Sequence, residues 1–239
     1  MALHVFKDKE TLTYAAAEWI TEIIEDKLKN ASQFTWCLSG GSTPKQLYSL
    51  MHAEPFRNRI DWSKLHIFFG DERVVPIEDE RNNGKMASDN LLNHVPIPRD
   101  QIHFMRTDVD PIVSAIEYEK ILHHYFDNAA FTFDLTLLGM GDDAHTLSIF
   151  PGSSLVNEKE KWATSIYVPS QQMDRITLTP GVVNGSDRIM FLIAGDSKAN
   201  ALKHVKNGSY NPIKYPSQLI QPAQGELHWF IDEAAGKEL

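Results

Sequence analysis

The sequence predicts an α/β fold in which a mostly parallel sheet carries helices on both faces. Short, almost continuously apolar runs alternate with longer segments whose apolar residues recur at helical spacing. Strands that are apolar on both faces are typical of parallel sheets, and helices usually supply the connections between parallel strands. The 239 residues contain no internal repeat and no Pro/Ser-rich linker, so we expect residues 1–239 to form a single α/β domain.

The first helix is predicted where apolar residues between Leu12 and Leu28 recur three and four positions apart. Asp8 or Thr11 is suited to cap its start, because a short polar side chain can accept a hydrogen bond from a free backbone N–H. An amphipathic helix at this position would cover one face of the sheet.

Three further helices are predicted. One begins near Pro44, a residue that suits a first helical turn, with Ser42 or Thr43 as its cap. Another is expected over about 111–125, and the last in the segment that contains Lys198.

The predicted strands are short apolar runs bounded by glycine or by polar residues. Four of them lead directly into clusters of glycine and ionisable side chains. The runs are residues 34–39, 65–69, 102–105, 133–138, 176–178, 189–193 and 227–231.

Composition and charge exclude several classes of protein. Hydrophobic residues make up 42% of the chain and charged residues 23%, which is too apolar for a disordered protein. The net charge of −9 disfavours a nucleic-acid partner, although a few focused cations suffice for one small anion. No apolar run approaches the ~20 residues of a membrane span, and the N-terminus lacks a signal-peptide core. With Cys37 as the only cysteine, we expect a soluble, cytoplasmic protein with no membrane partner.

Four clusters predict one site, because ligands of parallel α/β sheets gather beyond the carboxyl ends of the strands. The first, Gly40, Gly41, Ser42 and Thr43, joins a strand to a helix. Its glycines permit close approach of the backbone, and the free amides of a helix N-terminus attract an anion. The alternative for this segment alone is an ordinary capped turn.

The second cluster places Asp71, Glu72 and Arg73 after an apolar strand. The guanidinium of Arg73 is suited to hold a phosphate through two hydrogen bonds. Asp71 or Glu72 is suited to orient a sugar hydroxyl or another catalytic side chain. The alternative is a local ion pair on a solvated turn.

The third cluster, residues 139–152, contains the best candidate for a general base. The imidazole of His145 can accept a proton near neutral pH, and Asp143 or Asp142 is placed to fix its tautomer. The alternative is a histidine that only binds a backbone carbonyl.

The fourth cluster places Lys198 near the start of a helix, where the helix dipole favours an anion over a lysine, so a bound phosphate would relieve the mismatch. Arg175 is a weaker additional cation. No metal-ligand spacing and no Gly-x-Ser-x-Gly elbow are present, so the sequence predicts no metal site, and a hydrolytic reaction would use activated water.

Several segments together resemble the 6-phosphogluconolactonase family. They are Ser39-Gly-Gly-Ser-Thr-Pro44, Phe69-Gly-Asp-Glu-Arg-Val-Val-Pro76 and Gly139-Met-Gly-Asp-Asp-Ala-His-Thr-Leu-Ser-Ile-Phe-Pro-Gly152, followed by Arg175-Ile-Thr-Leu-Thr-Pro180, Gly195-Asp-Ser-Lys198 and Tyr215-Pro-Ser-Gln-Leu-Ile220. The match runs in order over nearly the whole chain.

The resemblance implies a Rossmann-like fold and a lactonase of the oxidative pentose phosphate pathway that uses neither metal nor cofactor. It implies a sugar phosphate lactone as substrate and no nucleic-acid partner. The catalytic residues are then His145, Asp71 and Asp143, and the substrate-binding residues are Gly40, Gly41, Ser42, Thr43, Arg73, Asn83, Arg175 and Lys198.

Two positions depart from the family pattern. Asn82 replaces a serine next to the matching Asn83, and Ala144 replaces the glycine before His145. The added methyl group at Ala144 favours a different local backbone, because glycine tolerates conformations that alanine avoids.

Two alternatives remain for the function. One is a glucosamine-6-phosphate deaminase, a family with Asn-Glu-Pro where this chain has Ser148-Ile-Phe-Pro151. The glutamate that would act with the histidine is missing here. The other is a sugar-phosphate sensor without catalysis, although a sensor has no use for Asp71 and His145.

Overall fold

Six parallel strands form the central sheet of the computed structural model, which describes residues 1–239. Every pairing in this sheet is parallel. The spatial order of its strands is β1 (Ala2–Phe6), β9 (Glu226–Asp232), β8 (Arg188–Ile193), β5 (Leu135–Leu138), β2 (Phe34–Leu38) and β3 (Leu65–Phe69). The central strands β2 and β5 are buried along their whole length. The parallel sheet predicted from the apolar runs is therefore confirmed.

The other three strands form a small antiparallel sheet that the sequence analysis did not predict. They are β4 (Asp71–Arg73), β6 (Ala163–Val168) and β7 (Met173–Leu178), in the order β4-β7-β6. Gly70 connects the two sheets, since its N–H donates to the Leu38 carbonyl while its own carbonyl accepts from Leu178. Residues 176–178 are a strand as predicted, but they belong to this second sheet.

One predicted strand is wrong, and three strands were missed. Residues 102–105 contribute only an isolated bridge between Ile102 and Ile67, because the chain runs beside β3 for too short a distance to form a ladder. The missed strands, β1, β4 and β6, are short and partly exposed. Such strands lack the continuous apolar run by which the buried strands were recognised.

The four principal helices begin close to the predicted positions. Helix α1 (Lys9–Leu28) has a capping box formed by Asp8 and Thr11, as expected. Helix α2 (Ser42–Met51) is capped by no side chain; Gly41, with a φ of 110°, occupies the cap, so the prediction of a Ser42 or Thr43 cap is wrong. Helices α1 and α2 pack on one face of the sheet, and the longer helices on the opposite face are α5 (Pro111–Phe126) and α7 (Ala199–Asn207). The short helices are α3 (Phe56–Arg59), α4 (Asn83–Ala87), α6 (Pro180–Asn184) and α8 (Glu233–Gly236).

The helices cover both faces of the sheet and create two apolar cores. One core contains α1 and α2 residues packed on Trp36 and Leu137, and the other contains α5 and α7 residues packed on Cys37 and Phe191. No helix is both long enough and apolar enough to cross a bilayer. This two-sided covering leaves the carboxyl edge of the sheet as the place where the loops after β2, β5 and β8 can meet.

Candidate active site

The four predicted clusters meet around one cavity of about 270 Å³ at the carboxyl edge of the sheet. The loops after β2, β5 and β8 form part of its wall, and the antiparallel strands β4 and β7 complete it. Nine of the eleven predicted site residues line the cavity: Gly40, Gly41, Ser42, Thr43, Asp71, Arg73, His145, Arg175 and Lys198. The other two, Asp143 and Asn83, lie behind this surface and contact residues that form it.

His145 and Asp143 form a hydrogen-bonded pair beside the cavity. The Nδ1 of His145 lies 2.6 Å from Oδ1 of Asp143, and the backbone N–H of His145 donates to the same oxygen at 3.0 Å. Burial raises the pKa of the Asp143 carboxyl, but these hydrogen bonds outweigh burial and hold the pKa below its ordinary value. An ionised Asp143 favours the tautomer with a proton on Nδ1, which leaves Nε2 of His145 as a proton acceptor.

Gly141 provides the space that this pair occupies. A Cβ atom at position 141 would lie 2.1 Å from Nδ1 of His145 and 2.4 Å from Oδ1 of Asp143. No side chain fits at such distances, so the second glycine of the segment Gly139-Met-Gly141 is required by the packing of the pair.

The ring of Phe150 stacks on the imidazole of His145. The ring centroids are 4.2 Å apart and the planes differ by 23°. The Arg175 guanidinium lies 6.0 Å from the centroid of the same ring. Phe150 therefore covers one face of the candidate base and limits the directions from which water or substrate can reach it.

Asp71 lies at the centre of a buried hydrogen-bond network. Its Oδ2 accepts from the Ser148 hydroxyl at 2.6 Å and lies 3.4 Å from an Arg175 nitrogen. Asn83 donates its side-chain amide to the Asp71 carbonyl at 2.8 Å. With these contacts Asp71 is placed to hold Arg175 and the loop that contains Ser148.

Two arginines face each other across the antiparallel strands next to the cavity. Arg73 on β4 is directly opposite Arg175 on β7. Their Nε atoms are both buried and donate to no protein acceptor. Burial lowers the pKa of the Arg175 guanidinium and the Asp71 carboxylate opposes that shift, but the charge of Arg73 lowers this pKa further. Like charges opposite each other destabilise a strand pair, so this pairing favours an anionic ligand between them.

Apart from the contact of Arg175 with Asp71, both guanidinium groups are held by neutral partners. Arg73 donates to the Arg81 carbonyl at 2.7 Å. Arg175 donates to the side-chain oxygen of Gln171, a cavity residue at the turn between β6 and β7. These contacts fix the guanidinium groups without neutralising them.

Glu72 supports the strand from the side that faces away from the cavity. Its carboxylate accepts from the backbone N–H groups of Arg73, Asn83 and Gly84, at 2.7 to 2.8 Å. Burial nevertheless raises the pKa of the Glu72 carboxyl to about 7, because these hydrogen bonds compensate the desolvation only in part. Glu72 is therefore a structural residue of the site, and Asp71 is the acid that lines the cavity.

Asn82 and Asn83 have separate tasks. Asn82 caps α4 by accepting from the Lys85 N–H at 2.8 Å, a task that serine performs equally well. Asn83 lies against Gly40, where a Cβ atom would come within 2.1 Å of its side-chain oxygen. Replacement of the family's serine by Asn82 therefore retains the cap, and Asn83 joins the first cluster to Asp71.

Ala144 keeps a glycine-like backbone. Its φ is 66°, in the left-handed region, although its side chain is an alanine that is fully buried. The methyl group has therefore not moved this residue out of the left-handed conformation, contrary to the expectation from the sequence. No group of three or more His, Cys, Asp or Glu side chains is arranged to hold a metal ion.

Comparison with known proteins identifies the family. A sequence model of the family described as "Glucosamine-6-phosphate isomerases/6-phosphogluconolactonase" matches residues 7–229. The chain belongs to this family. A protein of Nostoc sp. named 6-phosphogluconolactonase is 39% identical to it, over 99% of this chain and 98% of that protein.

Solved structures of this family share the fold. The 6-phosphogluconolactonase from Trypanosoma cruzi superimposes with a TM-score of 0.85 at 27% identity, covering 100% of this chain and 96% of that chain. A monomeric glucosamine-6-phosphate deaminase superimposes with a TM-score of 0.84 at 19% identity, over 100% of both chains. The second similarity concerns the fold alone. The predicted resemblance and the Rossmann-like α/β architecture are thus confirmed.

Sequence reasoning about this family member missed four residues of the site: Phe150, Gln171, Ser148 and Ser217. Phe150 and Ser148 lie inside the recognised segment 139–152, but their types suggest ordinary loop residues. Gln171 lies in a polar turn that no pattern distinguishes. Ser217 lies in the recognised segment 215–220, which the sequence analysis connected with no task.

Proposed function

We propose that this protein hydrolyses 6-phospho-D-glucono-1,5-lactone to 6-phospho-D-gluconate, the lactonase step of the oxidative pentose phosphate pathway. The observation that carries the proposal is a paired histidine and aspartate on one wall of a cavity whose other walls hold three cations, of which only Arg175 has a carboxylate partner. This combination suits a sugar phosphate with a hydrolysable carbonyl. The names of the relatives agree with it.

The cations and the α2 N-terminus bind the phosphate. Arg73, Arg175 and Lys198 line the cavity, and so do the residues that begin α2. Guanidinium groups bind phosphate oxygens through paired, charge-assisted hydrogen bonds. The free amides at the start of α2 add donors and a favourable dipole.

His145 acts on the water that attacks the lactone. Nε2 takes a proton as the water oxygen bonds to the ring carbonyl carbon, giving a tetrahedral intermediate. The bond between this carbon and the ring oxygen then breaks, and the protonated imidazole returns the proton to that oxygen. Asp143 holds the ring of His145 through Nδ1 and stabilises the imidazolium while it exists.

The deaminase alternative is disfavoured by the surroundings of His145. Phe150 stacks on the imidazole and offers no carboxylate for proton transfer. The sensor alternative leaves unexplained why Asp143 orients the histidine toward a proton-accepting role. We also expect the reaction to occur in the cytoplasm, where the buried thiol of Cys37 stays reduced.

Freshly generated lactone tests the proposal. Hydrolysis is followed in a weakly buffered solution by proton release, with the spontaneous rate subtracted, since this lactone also opens without a catalyst. Unphosphorylated gluconolactone and glucosamine 6-phosphate serve as comparison substrates. We expect turnover of the phosphorylated lactone, much less of the unphosphorylated one, and no ammonia from glucosamine 6-phosphate. Binding of the lactone without acceleration of its opening would instead support the sensor.

A further inference from the structure

The residue immediately before the candidate base has an unfavourable backbone conformation. Ala144 has a φ of 66° and is fully buried. Residues other than glycine avoid the left-handed region, because Cβ approaches the neighbouring carbonyl oxygen there. Contacts with other residues must therefore hold Ala144 in that conformation. The backbone conformation of Ala144 in turn determines where the chain places His145.

Ser217 supplies such a restraint from a distant part of the chain. Its backbone N–H donates to the Ala144 carbonyl at 3.0 Å, and its hydroxyl donates to the same oxygen at 2.8 Å. Ser217 is completely buried, so no water competes for these hydrogen bonds. The peptide group between Ala144 and His145 is thus held by two hydrogen-bond donors.

The segment that contains Ser217 is itself anchored. The side chain of its neighbour Gln218 accepts from the Asn211 N–H at 2.7 Å and donates to the carbonyls of His204 and Ser209 at 3.1 and 3.2 Å. His204 lies on α7. The two donors of Ser217 are therefore fixed relative to the end of a helix and do not move with the loop that they hold.

We propose that Ser217 is a positioning residue for His145: its paired hydrogen bonds keep Ala144 left-handed and so fix the orientation of the base. This proposal rests on the proposed function, in which His145 is the general base. It assigns a task to the segment 215–220, which contributes no predicted site residue. It also explains how the loop tolerates alanine at a position where the family has glycine.

The first test is the substitution Ser217→Ala. One of the two hydrogen bonds is lost, which by the usual contribution of such a bond lowers the fraction of correctly oriented His145, and hence kcat, by about two- to tenfold. We expect KM to stay within about twofold, since no phosphate-binding group is touched. Ser217→Cys, with a similar size and a weaker donor, should give an intermediate kcat.

Ser186→Ala is the matched control. Ser186 is also completely buried, and its hydroxyl donates to the Val183 carbonyl at 2.7 Å, far from the cavity in the fold. Ser186→Ala should lose at least as much thermal stability as Ser217→Ala, because the Thr136 hydroxyl, 2.8 Å from the Ser186 hydroxyl, also loses its partner. Only Ser217→Ala should lower kcat per folded molecule.

The second test is rescue by Ala144→Gly. Glycine adopts the left-handed conformation without strain, so the orientation of His145 then depends less on the hydroxyl of Ser217. We expect the double variant Ala144→Gly/Ser217→Ala to recover most of the kcat lost in Ser217→Ala, and Ala144→Gly alone to stay near wild type. A residue with only a general stabilising role would show no such rescue.

The outcomes separate this inference from the proposed function. If His145→Asn lowers kcat but Ser217→Ala and Ser217→Cys do not, the positioning role of Ser217 is wrong while the lactonase mechanism stands. If Ser217→Ala lowers kcat and Ala144→Gly fails to restore it, the proposed link through Ala144 is wrong. If His145→Asn itself keeps full kcat, the proposed mechanism fails.

Discussion

Arg73 and Arg175 lie directly opposite each other on the antiparallel strands β4 and β7, with both guanidinium groups at the candidate active site. An arrangement of two like charges destabilises the strand pair unless a partner of opposite charge compensates it. Asp71 compensates Arg175 in part, at 3.4 Å. The remaining positive charge is available to a phosphate, and this charge motivates the first prediction.

Removal of a proposed phosphate-binding cation should affect the phosphorylated lactone selectively. Arg73→Ala or Lys198→Ala should weaken its binding by roughly 1.5–3 kcal/mol, the usual value for hydrogen bonds to charged groups. Unphosphorylated gluconolactone should be much less sensitive. KM and inhibition by 6-phosphogluconate measure the effect.

Lys203→Ala is the control for these variants. Lys203 lies on α7 like the residues that follow Lys198, but it is half exposed and pairs with Glu238 at 3.6 Å. Its loss should leave both substrates unaffected. Equal losses on both lactones in Arg73→Ala would mean that this arginine serves the fold or the chemical step.

Substitution of the candidate base should lower the rate without loss of binding. For His145→Asn we expect kcat to fall by roughly 10²–10⁴-fold, the usual contribution of a general base. Affinity for 6-phosphogluconate should stay nearly unchanged, because the cations remain. Near-wild-type kcat would exclude His145 and leave Asp71 as the next candidate.

Gly141 should tolerate no side chain. In Gly141→Ala the new Cβ would meet Nδ1 of His145 at 2.1 Å, so the histidine and Asp143 must move apart. We expect a loss of kcat close to that of His145→Asn, measured on folded protein. Gly139→Ala is the matched control, because a Cβ there meets only the Ser39 hydroxyl at 3.8 Å. A similar loss in both variants would show that the segment needs glycine for reasons other than the histidine pair.

Glu72 should make stability depend on pH. Its pKa of about 7 in the folded protein exceeds the ordinary value of 4.5, so the folded state holds the proton more tightly than the unfolded state. The contribution of Glu72 to stability is then fully present below about pH 4.5 and is lost as pH rises through about 7, by roughly 3 kcal/mol in total.

Urea unfolding at pH 5 and pH 8 measures this dependence. In Glu72→Gln the change between the two pH values should shrink by the amount that Glu72 contributes. At pH 5 the variant should be less stable than wild type, because one backbone donor then faces an amide N–H. An unaltered pH dependence in the variant would show that other groups cause it.

Exhaustive chelation should leave activity intact. The proposed mechanism uses His145 and the cationic side chains that line the cavity, and no group of side chains suited to bind a metal ion is present. The rate with EDTA, followed by dialysis, should equal the untreated rate. Loss of turnover that one divalent ion restores would contradict the mechanism.

Local patterns in the sequence were sufficient for the main elements. Burial along β2, β5 and β8 appears as continuous apolar runs, because strands covered on both faces have no polar side. The capping box of α1 depends on Asp8 and Thr11, only three residues apart. Convergence of the four clusters followed from the rule that parallel strands end at one edge of the sheet, since all four lay after predicted strands.

The sequence by itself determined the parallel sheet, the edge at which the site lies, and the residue types that it contains. Only the tertiary structure decided that Arg73 faces Arg175, that Phe150 covers His145, and that Ser217 holds the carbonyl of Ala144. The physical reason is that the two kinds of feature depend on contacts at different separations along the chain. Hydrophobic periodicity, helix caps and strand ends are set by neighbours within a few positions, whereas these contacts require pairing of β4 with β7 or the approach of segments 73 residues apart. No local pattern encodes such an approach, because it results from the packing of the whole chain.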